Sequence, residues 1–185
     1  MKIVQYPHPA LRVKAEPIIS LNKEIALQAA RMLDLMHEQE GLGLAAPQVA
    51  LAIRMIVMTF DPDRMPGEEA ADVVAINPVI VETSGTADGR EGCLSFPELF
   101  QKVRRPKTIR AQAYNLKGEL FEMKCSDLAA RLWLHEIDHL DGILFIDKMG
   151  PLGRLSSKKY LDDFIEEYHL AMQKGEIAKD LLPVL

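Results

Sequence analysis

The stretch Leu134-His135-Glu136-Ile137-Asp138-His139-Leu140 carries an H-E-x-x-H pattern inside an apolar helical run. Ser126 stands where a helix cap is expected, Leu128, Leu132 and His135 fall on one stripe, and Gly142 supplies the stop. On such a helix His135 and His139 are four residues apart and project from one face, so two imidazoles can reach one divalent metal. Glu136 lies beside them, placed to take a proton from a water acidified by that metal. The bland alternative is two histidines on a half-buried helix with a chance glutamate between them. Asp138 is off the ligand spacing and suits a supporting role, orienting an imidazole or pairing with an arginine.

Upstream, the first twenty residues are proline-rich (Pro7, Pro9, Pro17) and predict an extended arm. Asn22 or Ser20 can cap a helix running to about Glu40, because Ile25, Ala29, Met32, Leu33 and Met36 recur at helical spacing before Gly41. Residues 41–48 are too rich in glycine and proline for a regular element, and Ile53 to Thr59 predicts a strand. Asp61 to Asp72 predicts an exposed loop. Val73 to Val81 predicts a second strand, with Pro78 marking an edge or a bulge. Gly85 to Gly92 predicts a loop leading into Cys93. Thr108 to Tyr114 and Glu119 to Lys124 predict a hairpin about residues 115–118, and a last helix spans about Ser156 to Lys174. Strands grouped between helices, without regular alternation, indicate an α+β fold.

The chain has 185 residues, 48% hydrophobic and 26% charged, which fits one globular domain over 1–185. A net charge of -5 argues against sequence-independent binding to nucleic acid. No apolar run reaches the roughly 20 residues needed to span a bilayer. The N-terminus lacks the apolar core of a signal peptide, so a cytoplasmic location is expected. In that reducing compartment Cys93 and Cys125 are not expected to pair, and each is either a packed thiol or a functional one.

Two further segments stand with the histidine motif: Gly41 to Gln48, and Glu91-Gly92-Cys93-Leu94-Ser95. The three together, in this order, resemble the signature motifs of the peptide deformylases. Pro7 to Leu11 is also similar to that family's start, and the resemblance runs to about Asp147. It implies small mixed, mainly antiparallel sheets packed around a central helix bearing the histidines, with N-terminal and C-terminal helices beside it. It implies removal of the formyl group from the N-terminal formyl-methionine of nascent polypeptides. It implies a metal held by Cys93, His135 and His139, with Glu136 as the acid–base group. Ferrous iron is the metal expected in the cell, and zinc or nickel also fits. Gln48 and the Leu94 backbone N–H would donate to the oxyanion. Leu42 and Gly43 would pair with an extended peptide. Leu42, Leu128 and Leu132 would line a methionine pocket or simply pack in the core.

Leu134 departs from the family pattern, where glutamine commonly precedes the first histidine. Work on nascent chains implies proximity to the ribosome. From Ser156 onward, however, lysines 158, 159, 174 and 179 face acids 162, 163, 166, 167, 176 and 180, which argues against docking on ribosomal RNA through the tail. The rival reading is a zinc metalloprotease sharing the motif helix and taking a downstream third ligand, Glu166 or His169. A non-enzymatic module with a structural metal is the other class.

Overall fold

The computed structural model describes residues 1–63, 65, 67 and 69–177. Residues 64, 66 and 68 of the expected loop, and Lys179 and Asp180 of the tail's charge count, lie outside the described residues.

Strand β2 (Met55–Phe60) shows how the layers form. Successive side chains of a strand point to opposite faces. Ile56, Met58 and Phe60 enter one core and Met55 and Val57 another, so the segment is an apolar run covered on both faces. Helix α1 (Lys23–Glu38) covers the second face with Ala29, Met32 and Met36. Its N-terminus is fixed as expected: the Asn22 side chain accepts from the Ile25 N–H at 3.0 Å.

The main sheet has the order β1-β2-β3-β6-β7 and every pairing in it is antiparallel. Here β1 is Gly43–Ala45, β3 Ala71–Ser84, β6 Thr108–Tyr114 and β7 Leu120–Ser126. β6 and β7 form the expected hairpin, with Tyr114 opposite Leu120. Pro78 falls at a register break between Ile76 and Val79 in the middle of the sheet, so it marks a bulge and not an edge. A second, two-stranded sheet pairs β4 (Ala87–Cys93) with β5 (Phe96–Arg105).

Helix α2 (Asp127–Leu140) lies between the two sheets. Ala129, Ala130, Leu132, Trp133, Ile137 and Leu140 face the main sheet together with Cys125. Leu134 packs against this same core. The C-terminal end of α2 is held by the arm, whose Ala15 N–H donates to the Leu140 carbonyl at 2.8 Å. Gly142 is in the left-handed region, and a Cβ there would stand 2.6 Å from the Arg12 carbonyl oxygen. On the far side Val4, Leu11, Phe96, Val103, Phe145 and Met149 form a further core. Leu161 and Phe164 of helix α3 (Pro151–Lys174) pack against it.

Several expectations are corrected. Residues 43–45 form a strand because they pair with β2, and residues 46–49 form a single 3-10 turn. The expected loop 85–92 is largely strand β4, whose glycines admit side chains pressed onto its backbone. In the expected exposed loop Met65 is buried, and Ala71 and Asp72 already belong to β3. The arm is mostly extended but contains a 3-10 turn at Pro9–Arg12. Helix α3 begins at Pro151, not Ser156, because proline without an N–H suits a first helical turn. Ser126 occupies the cap position of α2, yet its side chain makes no capping bond.

Phe96 joins the arm, β5 and α3. Its ring stacks on Tyr6 at 5.0 Å between centroids and meets Phe145 edge-on at 5.2 Å and Phe164 at 6.0 Å. Phe96→Ala should lower stability by about 3–5 kcal/mol, measured by urea denaturation.

Candidate metal centre

One face of α2 and the end of β4 build the centre. His135 and His139 stand one turn apart with ring centroids 5.1 Å from each other. β4 loses its regular register between Glu91 and Cys93, and the chain then turns back through Leu94 and Ser95 into β5. This turn brings Cys93 Sγ to 3.3 Å from His139 Nε2. Ligand atoms of Cys93, His135 and His139 all lie within 4.8 Å of one another, which makes them the one such group of metal-competent side chains among the described residues. A sulfur and a nitrogen on one tetrahedral zinc are about 3.6 Å apart, so the spacing fits a shared ion. Glu166 and His169 are exposed on α3 and take no part in this group.

The orientation of each group has a visible cause. The Gln48 side-chain oxygen accepts from the Ala45 N–H at 2.8 Å, which turns its Nε2 toward Cys93 Sγ at 3.4 Å and Ser95 Oγ at 3.3 Å. His135 Nδ1 lies 3.1 Å from Glu91 Oε2, leaving Nε2 for a metal. Glu136 is 3% exposed, and its Oε2 has no hydrogen-bond partner among the described residues. His139 Nδ1 is likewise buried and unpartnered. The Glu136 carboxylate rests directly on Gly43: a Cβ there would stand 2.5 Å from Oε1. Only glycine permits that approach.

A cavity of about 630 Å³ opens over these groups. Leu42, Gly43, Gln48, Cys93, Leu94, His135 and Glu136 line it, with Leu128 and Leu132 along its wall. The structure thus brings together all eight residues named from sequence, with His139 behind the wall as the remaining donor.

Beneath the histidines is a buried ionic network that the sequence reading did not foresee. Glu91 is 5% exposed and accepts from Arg105 Nε and Nη2 at 2.8 Å each, from Arg131 Nη1 at 2.5 Å, and from His135. Arg105 also pairs with Asp138, which Lys148 reaches at 3.1 Å, so Asp138 takes the arginine partner expected of it. The available signal was Arg131, a charge four residues before His135 on the same helix face.

Burial alone would raise the Glu91 carboxyl, but hydrogen bonds from Arg105 and His135, and their charges, hold it far below the usual carboxylate range. Burial pushes Glu136 the other way, up to about 7, with the His135 charge opposing. Burial also works against a charged His135, yet hydrogen bonds to Cys93 and Glu91 raise it well above the ordinary value. His139 is lowered by burial and by its charged neighbours His135 and Arg105. A bound cation would favour Glu136 as carboxylate and both imidazoles as neutral ligands.

An α+β fold carrying an H-E-x-x-H helix with a cysteine brought beside it from a strand end defines a class of metal-site hydrolases. The Polypeptide deformylase family model matches residues 1–155, and the chain belongs to that family. It is 39% identical over 180 residues to a peptide deformylase of Rhodopirellula baltica, covering 97% of this chain and 88% of that protein. Identity to the Thermotoga maritima peptide deformylase is 38% over 163 residues, 88% of this chain and 94% of that protein. The crystal structure of Arabidopsis thaliana peptide deformylase 1B with an inhibitor superposes with a TM-score of 0.85 at 36% identity, covering 95% of this chain and 94% of that one.

Because Glu91 is depressed, its charge contributes stability that is fully present above its ordinary value of 4.5 and is lost as pH falls through the folded value. In metal-free protein Glu91→Gln should cost about 3–5 kcal/mol at pH 7. The gap from wild type should begin to narrow as pH falls below 4.5 and keep narrowing toward strong acid. Urea denaturation at a series of pH values reads this. Glu136 carries the opposite sign, so Glu136→Gln should relieve a cost that is full above about pH 7 and vanishes toward pH 4.5.

Proposed function

We propose that Cys93, His135 and His139 hold one divalent metal and that Glu136, Gln48 and Leu94 work around it. In this reading the chain hydrolyses the formyl group from the N-terminal formyl-methionine of newly made polypeptides and releases formate. The convergence of one thiol and two imidazoles, with the Glu136 carboxylate lining the same cavity, carries it.

The metal, when bound, supplies an acidified water and polarisation of the formyl oxygen. Glu136 accepts the proton of the attacking water and delivers it to the departing amine, so the carbon–nitrogen bond breaks without a free anion. Gln48 Nε2, held in place through the Ala45 N–H, donates to the oxyanion together with the backbone N–H of Leu94. β1 pairs on one side only, with β2, and Leu42 and Gly43 line the cleft along it. An extended peptide can therefore add to β1 as a further strand, its methionine side chain against Leu42, Leu128 and Leu132.

Ferrous iron is the metal proposed for the cell, on the family resemblance, with zinc and nickel also suited to this sulfur and nitrogen set. A cytoplasmic location near the ribosome follows from the substrate; no helix among the described residues is long and apolar enough to cross a membrane. Residues 1–185 are taken as one catalytic unit, supported by the packing of α3 on the arm and β5. The metalloprotease reading is not favoured, since its proposed ligands stand away from the histidines.

Glu136→Gln should bind one equivalent of metal and release no formate from a formyl-Met-Ala peptide. Gln48→Ala should lower kcat by about 10²–10³-fold with the metal retained. Cys93→Ala should lose the metal, and peptidase activity surviving that change would support the protease instead. Metal analysis of anaerobically purified protein, with activity per metal, tests iron; full activity with zinc alone would count against it.

A further inference from the structure

Arg131 lies one helical turn before His135 on α2 and is 8% exposed. Its guanidinium donates through Nη1 to Glu91 Oε1 at 2.5 Å and to the Val103 carbonyl at 2.9 Å, and through Nη2 to the Ala87 carbonyl at 3.0 Å. One side chain thus ties the helix to both strands of the smaller sheet and to the carboxylate that receives His135 Nδ1. An independent feature of β4 accommodates it. The guanidinium lies on Gly89, where a Cβ would stand 2.7 Å from Nη2 and 2.8 Å from Cζ and Nε.

We propose that Arg131 is a positioning residue that acts through Glu91 to fix the imidazole of His135, with Nε2 presented toward Cys93 and His139. This inference rests on the metal-dependent reading above. Arg105 grips Glu91 along one edge, through Nε and Nη2, and spends its remaining nitrogen on Asp138. That grip holds Glu91 from the Arg105 side alone. Arg131 approaches Oε1 from the helix side and is itself held by two backbone carbonyls, so it supplies the second fixed point. The planar fork of arginine reaches all three acceptors at once, and a lysine ammonium does not. Because Arg131 and His135 share one helix, the register of α2 against β4 and the presentation of the imidazole are set by the same carboxylate.

The test is Co2+ titration of metal-free protein, read by the visible bands of the bound ion and its sulfur charge-transfer band. Formate-release kinetics at saturating Co2+ accompany it. Arg131→Met should weaken Co2+ binding by about 10–100-fold and lower kcat, with KM for a formyl-Met peptide unchanged. Arg131→Lys should recover part of the affinity. Gly89→Ala, which pushes on the guanidinium without touching the ligands, should shift Co2+ affinity in the same direction. A purely structural role would lower the unfolding temperature and leave Co2+ affinity in the folded protein as in wild type. If Arg131→Met does not fold, Arg131→Lys and Gly89→Ala decide the matter. Wild-type Co2+ affinity in the folded variants, against an active wild type, overturns the positioning role alone. A wild type that shows no sulfur band or releases no formate overturns the functional reading and this inference together.

Discussion

The Glu91 carboxylate is the constraint on which the rest of the site depends. It is buried between β4 and α2, where an unpaired charge would be costly, and four donor atoms from Arg105, Arg131 and His135 satisfy both its oxygens. A buried ion pair of this kind is weak evidence for net stability, since a well-packed apolar set could replace it. Its value lies in specificity of geometry. The carboxylate lies 3.1 Å from Nδ1 of His135, and Cys93 lies two residues further along the same strand. The helix and the strand that carry the proposed metal ligands are thereby set against each other by one charged contact.

The placement of the reacting groups follows from the layers around that contact. α2 is buried on nearly all sides, which packs its histidines in place and sets Glu136 in the wall of the cleft. β1 approaches so closely that only a glycine fits between its backbone and the Glu136 carboxylate. The same glycine lies on the strand with an unpaired edge toward the cleft. The strand proposed to bind peptide and the proposed acid–base group therefore meet at Gly43, where a side chain would press on the Glu136 carboxylate.

Much of this was legible in sequence where the signal is local. The Asn22 cap, the β6–β7 hairpin and the spacing of His135 and His139 depend on neighbours within a few residues, and the structure shows each. Cys93 was reached only through the family resemblance, because nothing in the spacing between a strand end and a distant helix names a third ligand. The pairing of Glu91 with Arg105 and Arg131 was not legible for the same reason: it is a through-space match among charges that singly look like surface residues. The loop expected over residues 85–92 failed on glycine, read as a breaker where it makes room for Arg131 and Phe100 on strand β4. The start of α3 failed on Pro151, which opens the helix. In each case packing decided between readings that local propensity left open.

One sulfur and two imidazole nitrogens are proposed to share a single metal ion. X-ray absorption of the protein loaded with one equivalent of Zn2+ tests this most directly. The account predicts one sulfur scatterer at about 2.3 Å and nitrogen or oxygen scatterers at about 2.0–2.1 Å, with the sulfur lost in Cys93→Ser. A zinc shell with no sulfur in the wild-type protein, or one that keeps its sulfur in Cys93→Ser, would contradict it.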